Sequence, residues 1–257
     1  LPHSLMAATD WFYPFPPLQA GTLLKRYKRF FADIELDSGE VITAHCPNTG
    51  PMTGICHLGG RVMVSHNPSP KRKLAYTWEL AEVNDTVSTW AGTNTALPNR
   101  VMKSVLEARL IPELGDYDAI QPEVRYGHDG KSRIDFVVSR QDGSPPTYIE
   151  IKNTTWAKGT LALFPDTVTT RGQKHLRELR DLIPTAKAAM VYFINRGDCT
   201  DFAPGDEADP TYGDLLRQAM AAGVQVLPCR FEITPQGLRY LGLAPLRLST
   251  PGNICRI

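Results

Sequence analysis

Three side chains within eighteen residues have the types and the spacing to hold a hard divalent cation beside a phosphodiester: Asp135, Glu150 and Lys152. They sit in Ser132-Arg-Ile-Asp-Phe-Val-Val138 and Tyr148-Ile-Glu-Ile-Lys152, two strand-like runs flanking Asp142-Gly143. That dipeptide favours the tight primed turns of hairpins. Symmetric pairing about it sets Asp135 directly opposite Glu150, and strand alternation puts Lys152 on the same face. Two carboxylates and an ammonium on one patch suit metal-assisted phosphodiester chemistry. The same trio would also suit a solvated strand face with an ion pair of little worth. Against that reading, Ile134, Phe136, Val138, Ile149 and Ile151 are all apolar and imply a buried opposite face. Pro145 and Pro146 cannot donate to a ladder, which confines pairing to the arms.

The elements that must position this trio divide near residue 93. Phe30–Leu36, Val41–Cys46, Arg61–His66, Tyr76–Val83 and Thr86–Trp90 read as five short strands separated by turn residues, the pattern of a small closed barrel. Beyond Thr93 the pattern mixes. A helix is expected over Asn99–Leu110, between Pro98 and Pro112, then strands at Glu123–Tyr126, Arg133–Val138 and Tyr148–Asn153. A helix over Gly172–Leu182, a strand at Ala188–Ile194, a helix at Tyr212–Ala222 and a strand at Gln225–Phe231 complete an α/β domain. After Leu238 the chain is rich in Pro and Gly and is expected to be loosely organised. The resulting division is an N-terminal extension over 1–17, a barrel over 18–92 and an α/β domain over 93–257.

Basic residues cluster on the barrel. Lys25-Arg-Tyr-Lys-Arg29 sets four cations around an aromatic, and Lys71-Arg-Lys73 adds three in a loop. Such runs neutralise phosphates, and Tyr27 among them could stack on an unpaired base or pack in the core. Lys25, Arg26, Tyr27, Lys28, Arg29, Lys71, Arg72 and Lys73 are therefore the candidate nucleic-acid contacts. On Arg171–Arg180, Gln173, Lys174 and Arg177 share a polar helical face with His175 close by, while Leu176 and Leu179 point to a core.

Composition sets limits. The 257 residues carry 28 Lys plus Arg against 27 Asp plus Glu, so only local clustering gives a basic surface. Cys46, Cys56, Cys199, Cys229 and Cys255 are scattered, without zinc-site spacing, and no structural zinc is expected. Reduced thiols fit a cytoplasmic protein. No apolar run reaches the length of a membrane span, and Leu1–Gly21 lacks the pattern of a secretory signal. Leu1–Leu5 reads as an added leader, with Met6 a candidate native start.

From about Pro17 to Leu248 the chain resembles the sugar fermentation stimulation protein A family. The matching strings are Gly21-Thr-Leu-Leu-Lys-Arg-Tyr-Lys-Arg-Phe30, His45-Cys-Pro-Asn-Thr-Gly50, Lys71-Arg-Lys73 and Thr77-Trp-Glu-Leu80. Glu123-Val-Arg-Tyr-Gly127, Ser132-Arg-Ile-Asp-Phe136, Ile149-Glu-Ile-Lys152 and Phe164-Pro-Asp166 follow, with Arg171-Gly-Gln-Lys-His-Leu-Arg-Glu-Leu179 completing the set. The resemblance implies two domains: an N-terminal OB-fold-like β-barrel and a C-terminal α/β restriction-endonuclease-like domain. It implies DNA binding with little sequence preference and a link to sugar (maltose) metabolism. It places a nuclease-type signature on Asp135, Glu150 and Lys152, with Mg²⁺ or Mn²⁺ held by the two acids and the Ile151 carbonyl. Gln173 falls where some relatives carry a helical glutamine and is taken with Asp135, Glu150 and Lys152 as a candidate catalytic residue. A further acid is expected from Glu107, Glu113 or Glu123. The superfamily's proline-aspartate pair before the second acid is missing. The rival expectation is a DNA-binding regulator that uses the nuclease fold as a scaffold without catalysis.

Overall fold

A computed structural model describes residues 10–127, 130 and 132–248; Met6 and Cys255 lie outside them. A short strand β1 (Tyr13–Pro14) precedes six strands: β2 (Leu18–Tyr27), β3 (Phe31–Leu36), β4 (Val41–His45), β5 (Arg61–His66), β6 (Tyr76–Val83) and β7 (Thr89–Gly92). Their order is β4-β3-β2-β5-β6-β7, and a parallel contact between β4 and β6 closes β2 to β6 into a five-stranded barrel. Alternation explains the closure. Ala32, Ile34 and Leu36 on β3, Val62 and Val64 on β5, and Trp78 on β6 all turn into one buried cluster.

The barrel's five members differ from those expected. The segment near Thr86–Trp90 is β7, which pairs with β6 outside the closure, and β2 completes the ring. The cationic end of β2 masks a strand whose Leu23 is wholly buried. Gly21 is needed there, because a β-carbon would stand 2.6 Å from the Glu35 carbonyl oxygen of β3.

The second domain begins with α1 (Leu97–Glu107). It continues through β8 (Ala119–Tyr126), β9 (Ser132–Ser139), β10 (Thr147–Thr154), β11 (Trp156–Lys158) and β12 (Leu161–Phe164). Then come α2 (Thr170–Leu182), β13 (Lys187–Ile194), β14 (Asp201–Pro204), α3 (Pro210–Ala221), β15 (Gln225–Thr234) and β16 (Gly237–Leu243). The main sheet runs β1-β16-β15-β13-β10-β9-β8, with β10, β13 and β15 parallel at its centre. Apolar side chains on both faces of β13 follow from that position. Ala189, Val191 and Phe193 pack with α1, whereas Ala188, Met190 and Tyr192 pack with α2 and α3. Helix starts are capped locally: Thr169 accepts from the Gly172 N–H at 3.1 Å, and Asp209 accepts from Tyr212 at 3.0 Å.

Two terminal segments depart from expectation. The first part of the tail expected after Leu238 is not loose: as far as Leu243 it lies in β16, whose Leu238 and Tyr240 are buried in the sheet's core, while residues 249–257 lie outside the described residues. The described part of the N-terminal stretch joins the second domain, because β1 pairs with β16 and Trp11 packs on Phe231. The two domains meet where β7 reaches the end of β13. Arg196 is fully buried there, donating to Asp198 and, across the junction, to Asp85, each at 2.7 Å.

Candidate active site and basic rim

Pairs Thr147–Val138, Tyr148–Val137 and Ile149–Phe136 set the β9–β10 register, which is symmetric about residues 142 and 143. The connection is a loop over 140–146 and not a two-residue turn, since the strands end at Ser139 and Thr147. The ladder stops one pair short of Asp135 and Glu150. There the Asp135 carboxylate takes the backbone N–H of Ile151 at 2.7 Å. On the other side of β9 the ladder with β8 also skips Asp135, opposite Glu123, whose φ is 56°. This local break changes the side-chain parity. Phe136 and Val138 face the α1 core, while Ile134 joins the α2 core. Asp135 is thereby left at a cleft with both carboxylate oxygens engaged, Oδ1 accepting from Asn99 Nδ2 of α1 at 2.7 Å.

Glu150 lies on the α2 face of β10 and is 4% exposed. One of its oxygens, Oε1, receives Lys152 Nζ at 2.7 Å and also faces His175 Nδ1. Lys152 Nζ lies 3.1 Å from the same ring nitrogen. Arg171 Nε donates to His175 Nε2 at 3.5 Å. The second oxygen, Glu150 Oε2, is buried with no hydrogen-bond partner among the described residues. Burial pushes the Glu150 carboxyl up, but His175 and Lys152 outweigh it and hold the group below its ordinary value. Asp135 goes the other way: burial first, then the Glu150 charge, raise it to about 6.

Above this cluster opens a cleft of about 500 Å³ lined by Asp135, His175, Ser132 and Glu123, with Arg133, Arg171 and Lys174 at its walls. Of the three acids expected to complete the site, Glu123 is the one that reaches it, where it accepts from Arg133 at 3.3 Å. Glu107 is exposed and pairs with Lys103, while Glu113 lines a separate groove beside Arg239 and Tyr240. From α1 the site receives Asn99 and not an acid.

Gln173 sits differently from its expected role. Its amide donates to both oxygens of Asp209 at 3.0 Å, tying α2 to the cap of α3. Burial raises the Asp209 carboxyl, but donors from Thr169, Gln173 and Tyr212 overcome it and lower the group. His175 occupies the place by Glu150 instead. The stripe of Gly172, His175, Leu176 and Leu179, at i, i+3, i+4 and i+7, is the signal that points to it.

The predicted basic contacts fall into two groups. Lys25, Lys28, Arg29, Lys71 and Lys73 are exposed and have no carboxylate partner among the described residues. Lys28 and Arg29 form the β2–β3 turn with φ of 49° and 64°, left-handed conformations that cost side-chain-bearing residues energy. Arg26 is internal, donating to the carbonyls of Asn48 and Gly50 at 2.8 and 3.0 Å. Arg72 donates to Thr77 at 2.6 Å. Tyr27 stacks on Phe31 with centroids 5.4 Å apart, donates to Asp33 and lies under Lys25.

An OB-type barrel joined to a helix-flanked mixed sheet, with Asp135 on β9 and Glu150 and Lys152 on the adjoining β10, defines a two-domain protein with a restriction-endonuclease-like second domain. Residues 24–93 match the model for the SfsA N-terminal OB domain, and residues 96–237 match that for the sugar fermentation stimulation protein RE domain. A sugar fermentation stimulation protein homolog of Cyanothece sp. is 69% identical over 239 residues, covering 93% of this chain and 99% of the relative. One from Nostoc sp. is 64% identical, covering 93% and 99%. The chain belongs to the sugar fermentation stimulation protein (SfsA) family. SfsA of Pyrococcus furiosus, solved in complex with Ca²⁺, superposes with a TM-score of 0.80 at 24% identity, covering 91% of this chain and 98% of that one, which establishes the shared fold.

Proposed function

We infer that the chain is a DNA-binding protein of low sequence preference whose second domain carries a metal-dependent phosphodiesterase site. The observation that carries this reading is the convergence of Asp135, Glu150, Lys152 and His175 beneath a cleft walled by Arg133, Arg171 and Lys174. The residues fit a hard cation on two counts. Glu150 Oε2 is buried without a partner, and Asp135 is raised partly by repulsion from Glu150, which a cation between them would relieve. Among the described residues no three His, Cys, Asp or Glu side chains form a ready-made cage. Asp135 and Glu150 would therefore hold the ion, with the Ile151 carbonyl and waters completing its shell, the sparse ligation typical of Mg²⁺ or Mn²⁺. The divalent ion in the Pyrococcus structure supports metal binding in this family. Once bound, such an ion polarises a phosphoryl oxygen and acidifies a water.

The chain's own groups do the rest. Asn99 and the Ile151 N–H orient the Asp135 carboxylate through opposite oxygens. His175 fixes Glu150 by one oxygen, so that Oε2 is the free one. Lys152, close to both, stabilises charge gathering on the phosphoryl oxygens, and Arg171, Arg133 and Lys174 attract the phosphodiester. Affinity comes from the exposed lysines and arginines of the barrel through counterion release.

A second reading, binding without cleavage, draws on the sealing of Glu150 by Lys152 and His175. Incubating the protein with supercoiled and single-stranded DNA and Mg²⁺ or Mn²⁺ separates the two. Cleavage abolished by Asp135→Ala supports the enzyme. Absence of cleavage with DNA binding intact leaves the scaffold, and cutting unchanged by that substitution means the activity is not this protein's.

A further inference from the structure

Phe30 is a large apolar side chain left 48% exposed at the end of the β2–β3 turn. With Phe31, His45 and Leu74 it lines a predominantly apolar cleft of about 320 Å³ on the barrel, with Arg72 and Lys73 also in the lining. The Cys46 N–H donates to the Phe30 carbonyl at 2.7 Å, so the backbone that carries the ring is anchored to the neighbouring strand end. Arg72 and Lys73 of the second basic run line the cleft, and Lys28 and Arg29 of the first immediately precede Phe30 in the same turn. An apolar slot between cations has a specific complement: a flat, weakly polar group attached on either side to anions. An unpaired nucleobase in a single strand is such a group.

The aromatic geometry favours this slot over Tyr27. Tyr27 is already engaged, stacked on Phe31 and with Lys25 over its ring. Phe31, stacked on Tyr27, also lines the open cleft, where a further planar group can pack beside it. Resting on the nucleic-acid reading given above, we propose that this cleft is a base-stacking subsite that makes the barrel a reader of single-stranded nucleic acid. Duplex DNA keeps its bases stacked inside and meets only the lysines and arginines.

Fluorescence anisotropy tests this with the full chain in EDTA. One probe is a labelled oligothymidylate of about 12 nucleotides, within the span of one such barrel; the other is a labelled duplex of the same length. Phe30→Ala, at an exposed position, should weaken oligothymidylate binding about tenfold and duplex binding less than twofold, with the salt slope unchanged. Phe30→Trp should retain or strengthen single-strand affinity. Single-strand affinity within twofold of the unmodified protein for Phe30→Ala, or an equal loss on duplex, overturns the subsite while leaving the nucleic-acid reading in place. Failure of the unmodified protein to bind either probe at low salt overturns both.

Discussion

At Glu150, Lys152 and His175 are packed onto one oxygen of a carboxylate that is 4% exposed. At Lys28, Arg29, Lys71 and Lys73 the charges stand in solvent without carboxylate partners among the described residues. A pair of unit charges at 4 Å interacts by roughly 4 kcal/mol near a protein's partly shielded regions but roughly 1 kcal/mol in water. The first region therefore acts through fixed geometry and shifted protonation, and single side chains matter. The second acts through summed charge, and single side chains matter little. On the proposed function, chemistry would fall to the second domain and most of the affinity to the barrel, so that each could be removed without the other.

The largest effect that would sharpen this contrast is on cleavage. Asp135→Ala should lower metal-dependent turnover at least about a hundredfold, while duplex affinity in EDTA stays within about twofold. The converse change is Lys28→Glu, Arg29→Glu, Lys71→Glu and Lys73→Glu together. It should reduce duplex affinity and flatten the slope of log affinity against log salt by up to about 0.9 for each phosphate no longer neutralised, with thermal stability held. Arg26 is left out because its guanidinium holds the Asn48–Gly50 loop.

Titration distinguishes the regions next. The folded Asp135 carboxyl is raised from 3.8 to about 6, so the unfolded chain loses its proton first. Without metal, this group's contribution to stability therefore falls as pH rises from about 4 to about 6. A cation competes with that proton, so Mn²⁺ affinity measured by calorimetry should climb through about pH 6 and then level off. The smallest effect is at Gln173. Gln173→Ala should leave cleavage unchanged and cost about 1.5 kcal/mol of stability in urea unfolding, because its amide serves the Asp209 cap. A large loss of cleavage with stability intact would return Gln173 to the chemistry.

Much of this arrangement was legible in the sequence because it depends on period and spacing. The alternation of β3, β5 and β6 marks a barrel, and the symmetric arms around residues 142 and 143 bring Asp135 near Glu150. What was hidden depends on tertiary packing. Gln173 and His175 are two residues apart, about 200° around a helix, and only packing against β10 shows which one meets Glu150. Asn99 reaches Asp135 from α1, thirty-six positions earlier in the chain. The strand β16 carries Gly and Pro nearby, and β2 ends in cations, so both read as irregular until neighbouring strands supply their pairing. Trp11 gave no periodic signal, since its burial comes from residues distant in sequence, Phe231 and Ser104 of α1 among them.

On the proposed function, Asp135 and Glu150 share one divalent ion. Crystals of the full chain soaked in Mn²⁺ and measured at the manganese absorption edge test it directly. The expected result is an anomalous peak between Asp135 and Glu150 Oε2, lost in Asp135→Ala. Crystals that show no peak there, or a peak that survives the substitution, would contradict it.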